Sequence, residues 1–141
     1  MNIVEITGGK KFQRDIAENV VWYMIHKLMP RHRTLDILVE LVDIKSDAVG
    51  FCMMQNSNRE FCIEIDKKQS LKDFVTTIVH EMIHVKQWVR NEMNDGCSGK
   101  PARWKSKIIP ADTDYYDLPW EKEAYRLQDK YALEIWENEI I

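Results

Sequence analysis

The chain has 141 residues, 45% hydrophobic and 30% charged, which suits one soluble domain built on one core. Its net charge of −3 argues against a dedicated nucleic-acid binder. No apolar stretch reaches the ~20 residues of a membrane span, and the first residues lack the basic and apolar regions of a secretory signal. Cys52, Cys62 and Cys97 are an odd number in a spacing that fits no zinc ribbon. Reduced thiols and a cytoplasmic location are therefore expected, in the host cytoplasm if the chain is viral.

Residues 2–6 read as a short strand, punctuated by Gly8-Gly9. Phe12, Ile16, Val20 and Tyr23 recur at helical spacing and predict a helix over residues 11–29, closed by Pro30. His26 is an ordinary residue of that helix, and Arg31-His32-Arg33 reads as a solvated turn. Residues 35–44 place Leu35, Ile37, Val39 and Leu41 on one face of a strand. Residues 49–54 and 59–66 read as two further strands joined by a polar turn. A hairpin centred on that turn sets Cys52 opposite Cys62, with no disulfide expected.

Ser70-Leu71-Lys72-Asp73 has the capping-box pattern and starts a helix running to about residue 93. A loop over residues 94–101, a short strand at 103–109 and an irregular acidic stretch at 112–117 follow. Pro119 suits the first turn of a last helix that continues to about residue 139. The expected fold class is α+β in one domain spanning residues 1–141. It comprises an N-terminal helix, a small antiparallel-rich sheet of three to four strands, a central helix and a C-terminal helix.

The central helix carries His80-Glu81-Met82-Ile83-His84, an H-E-x-x-H pattern. Residues four apart share a helix face, so both imidazoles can close on one metal ion while Glu81 reaches a water bound to it. On the helical wheel Leu71, Phe74, Ile78, Met82, Val85 and Val89 form the core stripe. His80 and His84 lie roughly opposite, beside Asp73, Thr76, Thr77, Gln87 and Asn91. Small polar residues and imidazoles suit a cleft floor covered by another element better than a Lys- and Glu-rich solvated face. A catalytic zinc takes three protein ligands. No histidine follows His84, so a downstream third ligand must be a carboxylate. Asp112, Asp114, Asp117, Glu121 and Glu123 are the candidates, with acids late in the last helix.

His80–Gln87 (HEMIHVKQ), Arg103–Lys107 (RWKSK) and Pro119–Tyr125 (PWEKEAY) together resemble a small group of phage-type metallopeptidase-like proteins. These are similar to minimal zincins of the SprT-like and gluzincin kind. The resemblance covers roughly residues 59–127, is strongest at H-E-x-x-H and next at P-W-E-x-E-A. It implies a zincin-like fold, a Zn²⁺ cofactor and a third ligand in an E-x-x-A setting on the last helix, which maps onto Glu121 and Ala124. It also implies that the strand at residues 59–66 forms the cleft edge and pairs with an extended peptide. The chain departs from SprT proteins in lacking a third histidine. Tyr125 stands where several such families place an Asp or Asn that supports a ligand histidine.

The wheel of the last helix gives an apolar stripe of Trp120, Ala124, Leu127, Tyr131 and Ile135. Glu121 flanks it on the side of Gln128, Ala132 and Trp136. Glu123 flanks the other side, where an exposed ion pair with Arg126 would account for it, and it stands as the alternative ligand. The function expected is zinc-dependent hydrolysis of a peptide or protein substrate, with His80, His84 and Glu121 as ligands and Glu81 as general base. Tyr115 or Tyr116 would be an oxyanion donor. Two other readings are a catalytically silent zinc-binding structural or interaction protein, such as a phage accessory component, and a DNA-associated SprT-like protease. No membrane partner is expected and nucleic acid is disfavoured by the acidic balance.

Overall fold

Alternating apolar residues and three amphipathic segments give an α+β molecule, described by a computed structural model for residues 1–97 and 99–141. Strand β1 (Ile3–Gly8) leads through helix α1 (Lys11–Leu28) to β2 (Asp36–Val42). The turn between β1 and α1 needs glycine, since Gly8 and Gly9 both have positive φ. β3 (Gly50–Met54) and β4 (Glu60–Asp66) follow, then α2 (Leu71–Val89). Three two-residue strands, β5 (Met93–Asn94), β6 (Arg103–Trp104) and β7 (Lys107–Ile108), form a small antiparallel sheet. One 3-10 turn at Tyr115–Asp117 precedes α3 (Pro119–Glu137). None of the helices described is long and apolar enough to cross a membrane.

The main sheet has the order β1-β2-β4-β3. It is not antiparallel-rich: β1 pairs parallel with β2, β2 pairs parallel with β4, and only β3 runs antiparallel to its neighbour β4. The reason lies in the connections. A helix between β1 and β2 returns the chain to start the second strand in the same direction. The seven residues after Val42 then carry the chain past one strand position, and β4 folds back into the gap between β2 and β3. Strand β4 is therefore internal and not an edge, contrary to the expectation for residues 59–66, and β3 is the edge strand on that side. Burial agrees with this order. Phe61, Ile63 and Ile65 of β4 are fully buried beside Ile37, Val39 and Leu41 of β2, whereas Phe51, Met53 and Met54 of β3 are exposed.

The hairpin register is offset by one from the symmetric arrangement. Cys52 pairs with Ile63 and Cys62 with Met53, so the two thiols project from opposite faces of the ladder. All three cysteines are free. Helix α2 starts as its sequence indicates, with the Ser70 hydroxyl accepting from the Asp73 N–H at 3.2 Å. It ends at Val89, four residues short of expectation, because Asn91 takes a left-handed conformation with φ 56° and leaves Met93 free to enter β5. The strand expected at residues 103–109 is two short strands folded at Lys105, whose φ is 55°. The loop expected at residues 94–101 includes Ser98, which lies outside the described residues.

Helices α1 and α2 pack together, and Val20, Val21, Met24, Ile78, Met82 and Val85 join the buried residues of β2 and β4 in one core. Helix α3 packs on α2 from the other side. As a result α2 is buried on nearly its whole circumference, including the polar face that carries the histidines.

Candidate metal centre

His80 and His84 project from the α2 face that α3 covers, and each retains only 7% of its accessible surface. Their rings are 4.9 Å apart, edge to face, as expected for residues one helical turn apart. Glu121 enters from the first turn of α3, itself 7% exposed. Its Oε1 lies 3.1 Å from His80 Nε2 and 3.2 Å from His84 Nε2. One ligand atom from each of these three residues lies within 4.8 Å of the other two, and together they can hold a metal ion.

Hydrogen bonding at the far side of each ring decides what the near side offers. Gln87 Nε2 donates to the Trp120 carbonyl at 2.9 Å and to Glu123 Oε1 at 3.1 Å, which fixes the orientation of its amide. Its Oε1 therefore faces His84 Nδ1, 2.7 Å away, and can only accept. His84 accordingly carries its proton on Nδ1, and Nε2 of the neutral ring presents a lone pair to the Glu121 carboxylate. A lone pair and a carboxylate oxygen at 3.2 Å repel unless a cation lies between them, either a proton or a metal ion. Gln128 of α3 stands behind His80, with Oε1 2.8 Å from Nδ1, where it would accept from a proton on that nitrogen. The donor set thus fits a divalent metal by chemistry as well as by spacing: two imidazole Nε2 atoms and one carboxylate converge, each imidazole braced from behind.

The electrostatics carry the same information. Burial opposes ionisation of Glu121, but hydrogen bonds with both histidines outweigh it and bring its pKa down to about 2. For His84, burial disfavours the charged ring. The Glu121 hydrogen bond and the charges of Glu81 and Glu121 overcome this and raise its pKa. Glu81, 6% exposed, is driven upward chiefly by burial, partly countered by the neighbouring His84 and His80. A carboxyl raised in this way is better matched to taking up and returning a proton near neutral pH.

Glu81 lies on the floor of a cavity of about 480 Å³ that also exposes His80. Gly50 of β3 forms part of its rim, and a Cβ there would stand 2.8 Å from Thr77 Cγ2 and 3.0 Å from Glu81 Oε2. The edge strand can approach the carboxylate only because this residue has no side chain. Thr77 is held by bonds to the Asp73 carbonyl and Gln69 Oε1.

Three tyrosines complete the wall. The Tyr115 hydroxyl donates to Glu121 Oε1 at 3.0 Å, and burial pushes its pKa well up. Tyr125 sets its ring edge-on against His80 with centroids 4.6 Å apart. Tyr116 packs on both of the others, 5.0 Å from the Tyr115 ring and 5.7 Å from that of Tyr125.

Glu123 does not join the histidines, and it does not form the exposed pair with Arg126 expected from the wheel. It accepts from Lys86 at 2.8 Å and from Gln87, because α2 lies against that side of α3 and burial favours the partner already enclosed. Asp112, Asp114 and Asp117 are exposed and outside the cluster. The supporting residue absent at Tyr125 is supplied three residues later by Gln128. Gln128 shares a side of α3 with Glu121, two turns away, which is the one signal in the sequence pointing to it. Gln87, one turn after His84, gives a similar hint.

The chain matches no protein-family model, no curated protein and no solved structure. Geometry and chemistry of the site are thus what bear on function.

Proposed function

We propose that the protein is a zinc-dependent peptide hydrolase with a minimal zincin-like fold. His80, His84 and Glu121 would hold the metal and Glu81 would act as general base. The observation that carries this reading is the pair of Nε2 atoms aimed at one carboxylate from another helix, with the buried acid Glu81 beside them on an open cavity. Two imidazoles and a carboxylate with room for one further ligand are the donor set of catalytic rather than structural zinc. Bound there, the metal supplies Lewis acidity, activating water and polarising a carbonyl.

The chain's own residues do the rest. Glu81, with its raised pKa, accepts the proton of the attacking water and returns it to the departing amine nitrogen. Tyr115 donates to Glu121 and is the nearest phenol to the site; turned toward the cavity, its O–H would donate to the developing oxyanion. Tyr116, exposed at the mouth, takes part in binding rather than in this step. The substrate backbone would lie along β3, whose outer edge is unpaired in the sheet order, and add to it as a further strand. A reducing cytoplasmic setting accords with two thiols that face away from each other on one hairpin.

A silent zinc-binding role would be favoured by an obstructed groove. None of the described residues of the 94–101 loop lines the cavity, so the hydrolase reading stands first. The test is cleavage of an unfolded protein by zinc-loaded wild type and Glu81→Gln. Wild type should cleave, while the variant retains the metal and loses activity by at least about a hundredfold, in line with removal of a general base. Equal behaviour of the two would refute the assignment.

A further inference from the structure

The cavity beside Glu81 has a one-sided chemistry, most of which the hydrolytic step does not use. Asp47, from the β2–β3 connection, and Asp73, in the first turn of α2, line it with exposed carboxylates, and among the described residues no lysine or arginine lines it. Neither aspartate takes part in an ion pair among the described residues. The rings of Tyr115, Tyr116 and Tyr125 form the aromatic part of the lining, mutually packed yet 49%, 71% and 40% exposed. Aromatic faces attract cations through the ring quadrupole, and unpaired carboxylates add a favourable field. An anionic side chain would be repelled by both aspartates. A purely apolar one would leave the two carboxylates without a matched partner.

We infer that this cavity is a subsite for a cationic side chain, so that the preferred substrate carries lysine or arginine beside the scissile bond. The inference rests on the hydrolase reading for the nature of the occupant. The long stem of such a side chain would lie along the tyrosine rings while its charged head reaches Asp47 and Asp73. Volume is no obstacle, since about 480 Å³ exceeds what one side chain fills.

The test measures binding separately from turnover. Three blocked alanine pentapeptides, with central lysine, norleucine or glutamate, are titrated calorimetrically into zinc-loaded Glu81→Gln protein. The lysyl peptide should bind about tenfold more tightly than the norleucyl one, the size expected for an exposed ion pair plus a cation–π contact, and the glutamyl peptide weakest. Asp47→Asn and Asp73→Asn, introduced singly, should each reduce the lysine preference about threefold, and added salt should reduce it further. Two variants are used because Asp73 also lies in the first turn of α2 and its loss affects the helix, whereas Asp47 lies in a loop. Equal binding of lysyl and norleucyl peptides, no binding of the lysyl peptide at millimolar concentration, or a preference unchanged in both variants would each overturn the subsite. Wild-type cleavage of the same peptides separates the two readings. Lysine preference without any cleavage removes the hydrolase and keeps the subsite; cleavage without preference does the reverse.

Discussion

At the scale of single residues, the bracing of each histidine by a glutamine amide sets the properties of the centre. A carboxylate behind an imidazole would add charge to the site, whereas an amide oxygen fixes the tautomer and adds none. Gln87→Ala and Gln128→Ala should each weaken zinc binding roughly 10- to 100-fold, as loss of such supports does elsewhere. Gln87→Ala should also lower the melting temperature further, since Gln87 is fully buried and its amide holds Trp120 and Glu123 as well. Competition of each variant against a chromophoric chelator, with thermal unfolding in parallel, checks both statements. The juxtaposition of His80 and His84 was legible because their spacing is local. Glu121 could be narrowed by the wheel of α3, on which it shares a side with Gln128. The pairing of Gln128 with His80 spans 48 residues and depends on how α3 lies across α2, which no local pattern encodes.

At the scale of elements, the site depends on the register of α3 on α2, and a buried clasp sets it. Lys86 Nζ lies 2.8 Å from both Glu123 and Glu92, and its side chain is 10% exposed. Glu123 is two residues along α3 from Glu121, so the clasp with Lys86 also restrains the proposed third ligand. Lys86→Met should leave two enclosed carboxylates without a cation and cost about 3 kcal/mol of stability, measurable by denaturant unfolding. For Glu123, burial opposes ionisation, but Lys86 and Gln87 outweigh it and hold its pKa low. A carboxyl with a depressed folded-state pKa contributes stability that is present above the unfolded value of about 4.3 and lost as pH falls toward the folded one. Stability should therefore fall less steeply below about pH 5 in Glu123→Gln than in wild type. Helix positions were readable from periodicity and caps, Ser70 and Pro119 above all. The strand order was not, because inserting β4 between β2 and β3 is a non-local choice made by connection length. Glu123 was misplaced for a similar reason: the wheel showed Arg126 within reach, but Lys86 comes from another helix.

At the scale of the whole molecule, the net charge of −3 is distributed so that the cavity beside the metal centre is acidic and aromatic. The helices that bear His80, His84 and Glu121 meet only in the folded chain, so metal binding there would be linked to folding. Free zinc at a hundredfold excess over its Kd should stabilise the protein by about 2.7 kcal/mol. The central claim, that α2 and α3 jointly build one metal site with Glu81 outside the ligand set, is tested most directly by calorimetric titration of zinc into wild type, Glu81→Gln and Glu121→Gln. One zinc per chain is predicted for wild type and Glu81→Gln with similar affinity, and an affinity lower by at least about a hundredfold for Glu121→Gln. Undiminished binding in Glu121→Gln, or its loss in Glu81→Gln, would contradict the account.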